Sequence, residues 1–180
     1  MNAINLTHLT SVLAKLKEIG IVYEMESPTA LRVLPSASFR GTDVETLPHP
    51  GFPTDVQSPF MALLSVADGN SVITETLFEN RMQHVAELTR MGADIKVKGN
   101  LAIIKGVPML SGAPVVATDL RASAALVLAG LAAQGETIVS GLHHMDRGYD
   151  RLEVKMAGLG AKILRVRADS VPGLQSLVHE

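Results

Sequence analysis

TDLRASAALVLAGLAAQG, residues 118–135, is the stretch on which the fold turns. After Thr118-Asp119 it carries one charge, Arg121, and is otherwise mostly Ala, Leu and Val. A helix of that composition is buried nearly all round rather than along one stripe. Thr118-Asp119 provides the opening cap and Gly135 the stop. The same grammar occurs earlier in the chain. Thr54-Asp55 opens a helix that runs to about Ala67 and ends at Gly69, with Pro59 close enough to the first turn to be tolerated.

Both helices are followed by a strand, Ser71–Phe78 or Glu136–Leu142, and then by an arginine, Arg81 or Arg147, at the same distance from the glycine. Each arginine precedes a further helix, Met82–Met91 closed by Gly92 or Tyr149–Leu159 closed by Gly160. New strands then begin, a hairpin over Asp94–Val107 turning at Gly99-Asn100 and a strand over Ala161–Val166. The spacing describes an internal repeat of about 65 residues. The expected fold class is α/β, with repeated units around shared buried helices.

A third, partial copy is visible at the start. Leu6, Leu9, Val12, Leu13, Leu16 and Ile19 lie at helical spacing, and Leu13–Gly20 corresponds to the second helix of a unit. Strands over Ile21–Glu26 and Leu31–Leu34 follow, then an extended loop from Pro35 to Pro53. The first unit is therefore expected to be incomplete, so that the chain begins inside a domain. Residues 1–166 are expected to be most of one domain and 167–180 a disordered tail without periodicity.

Composition narrows the function. A net charge of −2 argues against a nucleic-acid partner, since phosphate binding needs a basic stripe. Lys96, Lys98 and Lys105 alternate with apolar residues and read as the wet face of the hairpin. With no cysteine, a thiolate nucleophile and disulfides are excluded from this chain, which fits a reducing cytosol. The start has no signal-peptide pattern, and the apolar stretch 122–133 falls far short of the roughly 20 residues that span a bilayer. His143-His144, read as neighbours on a strand, would point to opposite faces and chelate a metal poorly.

Four segments carry a resemblance. They are PGFPTDVQ (50–57), TETLFENR (74–81), TDLRAS (118–123) and DRGY (146–149). Together, in this order, they resemble the UDP-N-acetylglucosamine enolpyruvyl transferases (1-carboxyvinyltransferases), over nearly all of Ile4–Val166. The resemblance implies an enolpyruvyl transferase-like inverse α/β barrel domain. It implies transfer of enolpyruvate from phosphoenolpyruvate to the 3-hydroxyl of UDP-N-acetylglucosamine, with release of phosphate. That is a cytoplasmic step of peptidoglycan synthesis, on which cell shape and division depend, and it needs no metal or organic cofactor. It also implies that this is a C-terminal part, inactive without an N-terminal part that carries a lysine-asparagine pair and a mobile cysteine loop.

The resemblance implies the site residues as well. Asp55 is expected beside the sugar hydroxyl, orienting it more than deprotonating it, because a helix N-terminus stabilises the carboxylate; the plainer reading is a helix N-cap. Arg147 is expected to clamp phosphoenolpyruvate, since a guanidinium grips a carboxylate or phosphate through two bonds. A cation at a helix start, where Arg147 is read to lie, calls for an anionic partner. Asp119 and Arg121 are expected to face the cleft, with an internal cap and salt bridge as the competing reading. Arg81 either lines the cleft or pairs with Glu79. Leu77 is expected to meet the nucleotide sugar through its backbone, and Phe78 to shape the pocket. A shikimate-type enolpyruvyl transferase shares the architecture, but TDLRAS with DRGY favours the amino-sugar enzyme. A non-catalytic binding or scaffold domain of the same fold is the alternative from another class.

Overall fold

The computed structural model describes residues 4–167. A 3-10 turn, Leu6–Leu9, leads into α1, Thr10–Glu18. The antiparallel hairpin β1, Tyr23–Ser27, and β2, Ala30–Val33, follows. Then come β3, Val44–Glu45; α2, Thr54–Leu64; β4, Asn70–Thr74; and α3, His84–Arg90. The hairpin β5, Asp94–Lys98, and β6, Leu101–Lys105, precedes the short strands β7, Leu110–Ser111, and β8, Pro114–Val116. The chain continues through α4, Leu120–Ala132; β9, Ala133–Gln134; β10, Ile138–Ser140; α5, Leu142–Met145; and α6, Leu152–Gly158.

The architecture is α/β. The main sheet has the order β3-β4-β6-β5, with β3 parallel to β4 and the rest antiparallel. Shorter parallel pairs, β8 with β10 and β7 with β9, flank it. The core gathers Phe60, Met61 and Leu64 of α2, Ile73 of β4, Leu88 of α3, Ala102 and Ile104 of β6, and Ala125, Leu126 and Ala129 of α4. The helices α2 and α4 pack directly on each other, so their first turns lie side by side at one edge of that core.

Several expectations change at the level of detail. Helix α2 is capped by the backbone of Pro53, with no side-chain cap, and continues through Pro59. Neither Thr54 nor Asp55 caps it, because both side chains are taken by tertiary partners. Asp119 does cap α4, accepting from the amides of Arg121 and Ala122. Buried over Ala122–Val127, α4 has an open side at Leu128 and Leu131, each 40% exposed. The strand expected over 71–78 stops at Thr74, where its partner β6 begins at Leu101. The Pro35–Pro53 loop contains β3, which two residues of parallel pairing suffice to form. His143 and His144 lie on helix α5, not on a strand, and their ring centroids are 4.0 Å apart instead of on opposite faces. The segment 161–166 is not a strand; it pairs with no strand among the described residues, and a lone strand leaves its backbone groups unbonded. Of the tail expected over 167–180, residues 168–180 lie outside those described.

Candidate active site

Asp55 stands in the first turn of α2 and Arg121 in the first turn of α4. Because the two helices pack together, Arg121 Nε reaches Asp55 Oδ1 at 2.5 Å. Arg81 Nη1 reaches the same oxygen at 3.3 Å and its guanidinium lies 4.1 Å from the Phe78 ring centroid. Partial burial works to raise the Asp55 pKa, but the two guanidiniums outweigh it and hold the carboxyl below its usual range. The Asp55 side chain is 68% exposed, against 29% for Arg121 and 15% for Arg81. So exposed an ion pair adds at most about 1 kcal/mol to stability. What the arrangement does is aim a charged carboxylate outward from two cations that are themselves largely covered.

Asp119 performs a cap. Its Oδ1 accepts from Arg121 N at 2.7 Å and Ala122 N at 3.1 Å, and its carbonyl accepts from Ser123 Oγ at 2.8 Å. The internal salt bridge expected of Arg121 goes to Asp55 instead. Beneath this corner lies His84, 1% exposed. Burial pushes its pKa down to about 4, against the opposing pulls of the Asp119 carboxylate and the Arg81 carbonyl. His84 is thus neutral in the fold, and its Nε2 has no hydrogen-bond partner among the described residues.

The segment after β4 turns sharply. Glu75 N still bonds the Asn100 carbonyl at 2.9 Å. The buried Glu75 carboxylate then takes the amides of Leu77 at 3.0 Å and Phe78 at 3.3 Å, together with the hydroxyls of Thr46 and Thr54. With its N–H spent inward, the backbone group Leu77 can offer outward is its carbonyl. Asn80 adopts a left-handed φ of 59°, which swings Arg81 back toward Asp55. Arg81 therefore pairs with Asp55 and Phe78 and not with Glu79. Leu77 and Phe78 are exposed, so neither is strand core. Sequence reading missed Glu75 and His84. Nothing local distinguishes a glutamate that will find donors from four other positions.

Arg147 lies in the turn after α5, not at a helix start, since α6 begins only at Leu152. It is exposed and forms no ion pair among the described residues. Its neighbours place it beside the α4 start. A Cβ on Gly148 would meet the Leu120 methyls at 3.0 Å, so the turn packs close against the first residue of α4. Burial and the Asp55 carboxylate push the Tyr149 phenol up, with Arg121 pulling the other way. On the far side, Asp146 is gripped by Arg165 through two bonds of 2.8 and 2.6 Å, which anchors the turn. Asp55, Arg81, Phe78, Asp119 and Arg121 are thus one connected group, and Arg147 sits on the adjoining loop with no hydrogen bond or ion pair to them.

Residues 1–156 match the family model described as EPSP synthase (3-phosphoshikimate 1-carboxyvinyltransferase). The chain belongs to the EPSP synthase family. Among curated relatives, the UDP-N-acetylglucosamine 1-carboxyvinyltransferase of Nostoc sp. is 62% identical over 162 residues, covering 90% of this chain and 36% of the relative. The enzyme of that name from Synechocystis sp. is 65% identical over 159 residues, covering 88% and 36%. Among solved structures, the enolpyruvyl transferase NikO from Streptomyces tendae superposes with a TM-score of 0.77 at 29% identity, over 85% of this chain and 35% of NikO. The EPSP synthase from Acinetobacter baumannii shares the fold, with a TM-score of 0.54 at 22% identity, over 78% and 36%. This member of the EPSP synthase family, with its enolpyruvyl transferase fold, spans little more than a third of the length of the curated relatives it matches. Among its described residues no helix is long and apolar enough to cross a membrane, and no group of three His, Asp or Glu side chains is placed to hold a metal ion.

Proposed function

We propose that this chain forms one wall of the cleft of a UDP-N-acetylglucosamine 1-carboxyvinyltransferase. In that reaction the 3-hydroxyl of the nucleotide sugar adds to phosphoenolpyruvate, and phosphate leaves as the enol ether forms. The reaction serves peptidoglycan precursor synthesis in the cytoplasm. The opposite wall comes from the segment that the longer relatives carry in addition, and the chain alone does not turn over. The observation that carries the reading is the outward-facing Asp55 carboxylate held by Arg121 and Arg81 at the paired starts of α2 and α4. The 62% identity to the Nostoc enzyme supports the amino sugar as acceptor.

The roles follow from charge and exposure. Asp55, kept ionised by two guanidiniums, accepts a hydrogen bond from the 3-hydroxyl and orients it; its depressed basicity makes it a poor sink for the proton. Arg147, free of ion pairs among the described residues, grips phosphoenolpyruvate through two bonds. Arg121 adds positive field toward the substrate anions, and Asp119 fixes the backbone from which Arg121 projects. The Leu77 carbonyl and the Phe78 ring border the nucleotide sugar.

The test is a chimera: the Nostoc relative with its matched segment replaced by this chain. Phosphate release that requires both UDP-N-acetylglucosamine and phosphoenolpyruvate is expected. Release with shikimate 3-phosphate in place of the amino sugar, or none with either, contradicts the reading.

A further inference from the structure

We propose that Glu75 is a positioning residue for the nucleotide sugar, acting through the loop 76–81 and through Thr54; this rests on the functional reading above. Glu75 is 2% exposed, and a carboxylate so buried, with no ion-pair partner among the described residues, is costly unless its lone pairs are filled. They are filled from three directions. Oε1 accepts from Thr46 Oγ1 at 2.9 Å, Leu77 N at 3.0 Å and Phe78 N at 3.3 Å, and Oε2 accepts from Thr54 Oγ1 at 2.8 Å. The backbone of Glu75 is pinned as well, its N–H to the Asn100 carbonyl at 2.9 Å and its carbonyl to Asn100 Nδ2 at 3.1 Å. Thr46 repeats the clamp one residue on, taking the Thr76 amide at 2.9 Å on its hydroxyl and the Thr76 hydroxyl on its carbonyl.

Four donors from three segments converge on the two Glu75 carboxyl oxygens, three of them on Oε1. Closing a loop needs less than this. The network has two outlets, and both lead to Asp55. One runs through Thr54, the residue before Asp55 and first in α2. The other turns the Leu77 and Phe78 amides inward, sets the Phe78 ring beneath Arg81, and so presents Arg81 to Asp55. A change at Glu75 therefore displaces the Leu77 carbonyl, the Phe78 ring and Asp55 together. All three border the nucleotide sugar, while Arg147, on a different loop, is left in place.

The chimera provides the test. Glu75→Gln keeps the shape but loses the charge and places an NH2 among donors. Its KM for UDP-N-acetylglucosamine is expected to rise about tenfold, equivalent to one charge-assisted bond. Its KM for phosphoenolpyruvate is expected to stay within about twofold. Thr46→Val removes a single donor and should raise the same KM about threefold, and the double variant should fall short of the product, since both act through one network. Equal rises in both KM values, or a lower yield of active enzyme with both KM values unchanged, overturns the proposal. An activity-independent readout separates this from failure of the functional reading. In the 180-residue chain itself, Glu75→Gln should speed amide hydrogen exchange at Leu77 and Phe78. Unchanged exchange there removes the network, whatever the chimera does.

Discussion

Residues 69–105 and 135–167 carry the same local signals and end in different structures. Gly69 and Gly135 both take left-handed φ, 93° and 92°, and so do Gly92 and Gly160, 92° and 94°. Each region has a strand, an arginine and a helix between its glycines. The first closes into the sheet β3-β4-β6-β5, whereas in the second 161–167 forms no strand. The arginines part in the same way. Arg81 is covered and engaged by Asp55 and Phe78, while Arg147 is exposed and without an ion pair among the described residues. Equal local propensity thus gives unequal outcomes once partners differ: strands need an edge to pair with, and cations need an anion within reach. In the proposed function, Arg81, already engaged by the fold, supports the carboxylate, and Arg147, left open, takes the substrate anion.

That contrast can be broken most forcefully at the arginines. On the proposed role of Arg147, two charge-assisted bonds to phosphoenolpyruvate at about 1.5–3 kcal/mol each mean that Arg147→Ala in the chimera should lower kcat/KM for phosphoenolpyruvate by about a hundredfold or more. Its melting temperature should not move. Arg81→Ala should do less to that ratio and should lower the melting temperature. The reverse pattern would exchange their roles.

The next test uses what lies behind Arg81. His84 is buried, whereas Asp150, at the matching distance from Gly135, is exposed. The folded pKa of His84 lies below the ordinary 6.5, at about 4, so the unfolded chain binds the proton first. Stability is complete above about pH 6.5 and drains away as pH falls toward 4, by about 3 kcal/mol in all. Denaturant melts across that window should show the slope, and His84→Gln should flatten it. A wild-type profile without slope would place His84 in water.

The smallest effect separates the two strand-like runs. Ile104→Val in β6 removes a methylene from a fully buried side chain and should cost about 1 kcal/mol. Leu164→Val, at a residue 86% exposed, should cost within about 0.5 kcal/mol. Equal costs would mean that 161–166 packs after all.

Much of this was legible in the sequence, and what was not shares a cause. Helical spacing, the Gly99-Asn100 turn and the Asp119 cap are local signals, and they are where they were read. The motifs around Asp55, Arg81, Asp119 and Arg121 did bring those residues to one corner. Glu75 was illegible because its meaning lies in Thr46, Thr54 and two amides that only the fold assembles. Asp55 looked like a cap because its competitor, a cation 66 residues away in sequence, leaves no local trace. The two-residue strands β3, β7 and β9 are too short for any periodicity, and α5 hides in a His-His pair that alternation reads as strand.

The proposed function requires an outward-aimed Asp55 whose charge serves chemistry rather than the fold. Asp55→Asn in the chimera measures that directly, with turnover and melting temperature taken on the same preparation. Turnover reduced about a hundredfold or more, with the melting temperature within about 2 °C as an exposed pair allows, is the expected result. Turnover that survives, or that falls only as far as the folded fraction does, would contradict it.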